Sequence, residues 1–286
     1  MMRKYKNVIV TLILILLIIL GGCAKKNAEI EDTVFQSVST TCGDELAGTD
    51  EFTLPEISNT ESSECVQTEA PSRRAEIAPG IIWEYYEDTR LLIISGEGAI
   101  PDYDTWKLVP WNELKIETAE IKEGITEIGR MSFAKISSLK TVLIPKTVTS
   151  INAYAFSESM NLKGVSVSEN VKYIGDWAFV GTEISNIELS DELTYIGSYA
   201  FYCAEIRNIK IPDSISTIEE GTFMHSSVES IVIPASINKI NVWAFYGCDE
   251  LADIYFCGTE EQWNAIMMEK ENDDLWEANI HYNYEK

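Results

Sequence analysis

Six cysteines, two histidines and several close-set acids are the residues of this chain whose types invite chemistry. Glu219-Glu220, Glu269 with Glu271, and Asp273-Asp274 are carboxylate pairs of the kind used in general acid–base catalysis or calcium binding. Together with Glu260, Glu261 and a Trp-rich C-terminus they define one catalytic expectation, a hydrolase whose acids converge near the end of the chain. The competing expectation is that such charge runs are solvated faces. No C-x-x-C occurs, and His225 and His281 are isolated, so no zinc ligand set assembles in sequence. P-loop, H-E-x-x-H and nucleophile-elbow patterns are missing as well. The sequence implies a non-enzyme, with no catalytic residue, metal or cofactor.

One cysteine has a chemical context of its own. Arg3, Lys4 and Lys6 precede an apolar run from Val8 to Leu20, broken only by Thr11. Its 13 residues suit a signal h-region and fall short of the roughly 20 a membrane span needs. The run ends in Leu20-Gly21-Gly22-Cys23, which resembles the lipobox of bacterial lipoproteins. That resemblance implies cleavage before Cys23 and acylation of its thiol. Lipidation at Cys23 would place the protein outside the cytoplasm, anchored to the cell membrane at the bacterial surface. Cys42 and Cys65 are free to pair in such a compartment, and sequence leaves that open. Cys203 and Cys248 sit where a small buried apolar residue would serve.

Charge narrows the partners. The full chain carries a formal −24, and losing Arg3, Lys4 and Lys6 with residues 1–22 would leave −27. Such a surface repels nucleic acid, whose binding needs clustered Lys and Arg. Residues 23–80 read as the lipidated cysteine followed by an acidic tether. Asn27–Gly80 holds twelve acids against two bases, with no sustained period, and cannot bury enough surface to offset its ordering entropy.

The elements that would position any site come from a repeat. Ile128, Ile151, Ile174, Ile196, Ile218 and Ile240 recur every 22 or 23 residues. Five residues after each stands Phe133, Phe156, Phe179, Phe201, Phe223 or Phe245. An apolar-x-x-apolar-x-apolar triplet follows, from Leu139/Val142/Ile144 to Leu251/Ile254/Phe256. A fixed period of this length predicts a stacked solenoid, in which no single coil buries its own apolar face. The expected architecture is a repeat solenoid of leucine-rich-repeat type. Short parallel strands form one sheet of seven, and short helical or 3-10 turns lie on the opposite side. Residues 81–127 are expected to form an N-terminal β-hairpin cap (Ile81–Tyr86 with Leu91–Ser95) and a first coil lacking its Phe. Residues 128–256 make the array. Residues 257–286, with an amphipathic helix over Glu260–Lys270, make a helical C-terminal cap. Trp83, Trp106, Trp111, Trp263 and Trp276 fall in the end segments and are expected to seal core rather than bind sugar.

Within each triplet the last two apolar side chains face inward, so the residues beside them face outward. Two ladders result: Leu143, Ser166, Glu188, Lys210, Val232 and Tyr255, and Thr141, Gly164, Asn186, Asn208, Ser230 and Asp253. They form the candidate ligand-binding face.

The coil Ile196-Gly-Ser-Tyr-Ala-Phe201 with Ile209-Lys-Ile-Pro212 resembles the BspA-like leucine-rich repeat family of bacterial surface proteins, and so do the flanks Leu92–Pro101 and Phe256–Trp263. Ser168 and Ser190 replace the usual proline. The resemblance implies a non-catalytic adhesion or interaction module that binds a host or bacterial surface protein or a glycan. The alternative is a scaffold that docks onto another envelope protein.

Overall fold

A computed structural model describes residues 70–285. Cys23, Cys42, Cys65 and most of the expected tether lie outside the described residues. The described part is a parallel β-solenoid with a ladder of strands on each of two faces.

The N-terminal hairpin forms as expected, with Ile81–Tyr86 antiparallel to Leu91–Ser95. A further strand, Arg73–Ala78, pairs outside it, inside the stretch assigned to the tether. Its mixed polar sequence carries no strand signal. Leu91–Ser95 then pairs in parallel with Thr118–Ile121, which hands over from cap to solenoid.

Triplet strands continue through Thr141–Leu143 and Gly164–Ser166, where the ladder stops. It resumes as Asn208–Lys210, Ser230–Ile233, Asp253–Phe256 and Asn279–His281. In the triplet ladder the strand pairing between the intervening coil and the second stack is reduced, among the described residues, to an isolated bridge, Asn186 to Asn208. The single seven-stranded sheet is thus two sheets. Gly164 lies beside the break and brings no side chain to the pleat. Ser168 and Ser190, in place of proline, make local hydrogen bonds to Asn170 and Glu192 N–H.

The anchoring isoleucines build a second ladder that sequence reading missed. Two-residue strands ending at Ile151, Ile174 and Ile196 stack in register on Ile125–Ile128. A separate stack joins Thr217–Ile218, Lys239–Ile240 and Met267–Met268.

The arc between the two ladders is not helical. Each coil turns there through two residues of positive φ, three after the Ile and two after the Phe. The first set is Met131, Tyr154, Trp177, Tyr199, Gly221 and Trp243; the second is Lys135, Glu158, Gly181, Cys203, His225 and Gly247. This left-handed alternation aims every second N–H group at the next coil. Met131, Phe133 and Lys135 donate to Ala153, Ala155 and Ser157, and the pattern recurs to Gly221, Phe223 and His225. The N–H groups between them close local turns, so the arc satisfies its own backbone without a helix.

The Phe rings form one stacked column in the core, with centroids 5.3–5.6 Å apart from Phe133 to Phe245. Trp111 heads it, 5.7 Å from Phe133, and donates its indole N–H to Ser132 O at 2.9 Å. Trp111 stands 22 residues before Phe133 and five before Ile116, so the first coil has an aromatic in the Phe slot after all.

The C-terminal cap is a further coil carrying an inserted helix. Thr259 caps a helix limited to Glu260–Asn264, whose Trp263 is buried against Phe256. The remainder of the expected helix is the strand Met267–Met268, which extends the anchor ladder. A short helix, Asp274–Glu277, leads into Asn279–His281.

Candidate functional site

Each coil sets one rung of the outward strand face. The inward neighbours Val142, Ile187, Ile209, Ile231 and Ile254 are buried, which fixes the outward direction of the residues between. Leu143, Ser166, Asn186, Glu188, Asn208 and Lys210 are exposed; Thr141, Ser230, Val232, Asp253 and Tyr255 are half-buried. The break gives the face two parts. Thr141, Leu143 and Ser166 belong to the first sheet; Asn208, Lys210, Ser230, Val232, Asp253 and Tyr255 belong to the second. Asn186 and Glu188 sit on the coil between them.

Some of these residues are already engaged. Ser230 donates to Asn208 Oδ1 at 2.7 Å. Asp253 Oδ1 lies 2.7 Å from His281 Nε2, and the His281 ring stacks on Tyr255 at 4.7 Å. His281 and Tyr284 therefore extend the face at its C-terminal end, an addition hidden in sequence because the inserted helix shifts the repeat spacing. Along the flank, the residues preceding each strand pair with one another: Glu117 with Lys140 at 2.7 Å, Lys163 with Glu183 at 3.2 Å, and Arg207 with Glu229. By contrast, the side chains of Glu188 and Lys210 have no hydrogen bond or ion pair among the described residues, and Leu143 is 42% exposed.

Several of the acids considered for catalysis serve the backbone or neighbouring side chains. Asp274 accepts the Gly247 N–H at 3.0 Å, and Glu269 accepts from Val242 N–H while pairing with Lys239 at 3.0 Å. Buried Asn272 accepts the Phe245 N–H at 3.0 Å. These side chains stand in for the carbonyls that a further coil would supply. Glu260, Glu261 and Asp273 are exposed. Glu219 accepts from Asn241, and Glu220 from the Tyr199 hydroxyl at 2.6 Å. Burial pushes the Cys248 thiol up to about 12, leaving it protonated at neutral pH. Cys203, at φ 53, is half-buried in a turn slot instead of filling core. Of the end-segment tryptophans, Trp83, Trp111 and Trp263 seal core, Trp106 is half-buried, and Trp276 is 60% exposed.

Residues 126–252 match the BspA type leucine rich repeat region in six copies. The array is a BspA-type leucine-rich repeat solenoid. No curated protein matches the chain. Among solved structures, a leucine-rich repeat protein from Eubacterium ventriosum shares 26% identity over 66% of this chain, with a TM-score of 0.47. This chain spans 45% of that protein. A T. pallidum leucine-rich repeat protein shares 16% identity over 63% of this chain and 80% of its own, with a TM-score of 0.44. One from Bacteroides ovatus shares 17% over 73% and 71%, with a TM-score of 0.37. In the BspA-type coil of this chain the Phe column and the isoleucines specify the scaffold, while the outward rungs vary freely.

Proposed function

We propose that this chain is a non-catalytic surface module whose strand face binds a protein or glycan partner, held at the membrane by lipid on Cys23. One observation carries the reading. The flanking charges are spent on each other, whereas Leu143, Glu188 and Lys210 face outward uncommitted. Exposed side chains without internal partners on a rigid repeat are where an interaction module keeps its specificity. The employment of Asp274 and Glu269 as backbone caps weighs against the alternative of a hydrolase built on these acids.

The test is a panel of extracellular matrix proteins and surface glycans presented to the full chain. A ligand should be retained, and Leu143→Asp with Lys210→Glu should weaken it about tenfold or more, as for central interface residues. A retained ligand indifferent to both substitutions would move the site elsewhere, and an empty panel would remove adhesion.

A further inference from the structure

The anchor ladder has an outward column of its own, and one rung of it is bare. Ala99, Glu127, Ser150, Tyr173 and Tyr195 stand in parallel register on successive coils. Tyr173 and Tyr195 stack at 5.1 Å with rings 11° from parallel. The Tyr195 hydroxyl reaches Asp176 at 3.4 Å, which steadies the pair. Tyr173 remains 38% exposed, and Tyr195 is the only ring it meets among the described residues. Its other face looks along the column toward Ser150, whose short side chain turns aside to Asn152 Oδ1 at 2.7 Å. Beyond Ser150 stands Glu127, half-buried, its carboxylate with no hydrogen bond or ion pair among the described residues. With rungs roughly 4.8 Å apart, the Glu127 and Tyr173 rungs are about 10 Å apart with only a serine between them. That is room for one planar group, walled by an aromatic face and by an uncompensated carboxylate.

The neighbouring column on the same coils shows what such a gap accepts. There Arg130 lies over the Tyr154 ring at 4.7 Å, and the stack continues through Trp177 at 6.0 Å to Tyr199 at a further 4.4 Å. A guanidinium is flat enough to stack on a ring and carries N–H groups at its edge for a carboxylate. A sugar ring would also lie against Tyr173, but it would leave the Glu127 charge unbalanced and gain nothing from a chain at −24.

We infer that the Ser150 rung is a recognition slot for an arginine side chain on a basic segment of a partner protein, stacked on Tyr173 and paired with Glu127. The slot lies on the anchor ladder, apart from the strand face, so its failure leaves the strand-face reading standing.

The probe is an acetylated, amidated peptide of alternating arginine and glycine, titrated against the full chain. Its counterpart with citrulline for arginine keeps the planar shape and loses the charge. The arginine peptide should bind at least about tenfold tighter than the citrulline one. Ser150→Tyr fills the rung without changing net charge and should weaken binding about tenfold; Tyr173→Ala and Glu127→Gln should each cost roughly three- to tenfold. All three positions face outward, and melting curves of the variants report whether the fold is kept. Undiminished binding to the Ser150→Tyr protein would mean diffuse charge attraction and overturn the slot. So would equal binding of the two peptides, or no binding at all. Tyr173-dependent binding of a neutral cello-oligosaccharide in place of the peptide would make the slot a glycan site and overturn the arginine assignment.

Discussion

Gly221 and Gly181 separate two costs of placing a side chain in a left-handed turn. Both have positive φ, at 59° and 65°. A Cβ on Gly181 would meet nothing within 4 Å, whereas one on Gly221 would lie 2.3 Å from the Tyr199 ring. Tyr199 folds over the bare backbone of the next coil, and burial with the Glu220 hydrogen bond pushes its phenol well above the ordinary range. Gly181→Ala should therefore cost only backbone strain, about 1–2 kcal/mol. Gly221→Ala should add displacement of the ring and reach roughly 2–4 kcal/mol. Urea unfolding of the two variants measures the difference, and equal losses would mean the ring yields freely. The turn slots were illegible in sequence for a physical reason. Their common requirement is a backbone angle, and Met131, Lys135, Tyr154, Glu158 and Trp177 meet it with unrelated side chains. His225 stood out as a histidine, yet its place is that of a turn residue whose ring covers Gly247. The buried positions were legible because burial constrains side-chain type: every Phe of the repeat is fully enclosed, as are the anchoring Ile128, Ile151 and Ile174.

At the scale of elements, the two ends solve the solenoid's edge problem differently. The N-terminal end is closed by the hairpin and by Trp111, which begins the aromatic column one coil early. The hairpin was legible as two β-rich runs separated by Glu87-Asp88-Thr89-Arg90. Trp111 was visible as spacing but hidden by residue type, since it fills a Phe slot with a larger ring. The C-terminal end is closed by side chains that imitate backbone. Asn272 accepts the Phe245 N–H and donates to Asn241 O at 2.9 Å and Glu269 O at 3.0 Å, all while buried. Asn272→Ala would strand these backbone groups without water, at about 2–4 kcal/mol for several buried unsatisfied partners. Asn272→Asp should recover part of the loss by restoring the acceptor. Hydrogen exchange gives the sharper readout, because the Phe245 amide should lose protection in the alanine variant while the Phe156 amide keeps it. Loss spread evenly over the array would show that the cap acts on global stability alone.

For the whole molecule, the continuous feature is the arc with its Phe column, because both strand ladders are interrupted. The triplet ladder stops after Gly164–Ser166 and the anchor ladder after Tyr195–Ile196, one coil apart. The arc hydrogen bonds run unbroken through both places, from Phe179 to Ala200 and from Phe201 to Thr222. Stability in a solenoid is approximately a sum over neighbouring coils, so a coil that forfeits ladder bonds is a weak joint. Amides of Asn186, Ile187 and Glu188 should exchange well before those of Ile209 and Ile231, and matched protection across residues 186–231 would refute a joint there. The sequence signs of this joint were present in Gly164 and in the two serines replacing proline, but a periodic pattern reports which residues face inward, not whether adjacent coils pair.

Under the proposed lipid anchor, attachment of the array to a membrane would depend on Cys23. A single acyl chain gives only marginal, reversible membrane binding, whereas two or three anchor a protein stably. At a formal −24 the chain gains nothing electrostatically from anionic headgroups, so on this reading the acyl chains carry the attachment. Cys23→Ser should therefore shift the protein from the membrane pellet to the soluble or secreted fraction, with a mass lower by the acyl groups. An unchanged pellet fraction and mass would overturn the lipid anchor and return residues 1–22 to a plain signal segment or a short membrane helix.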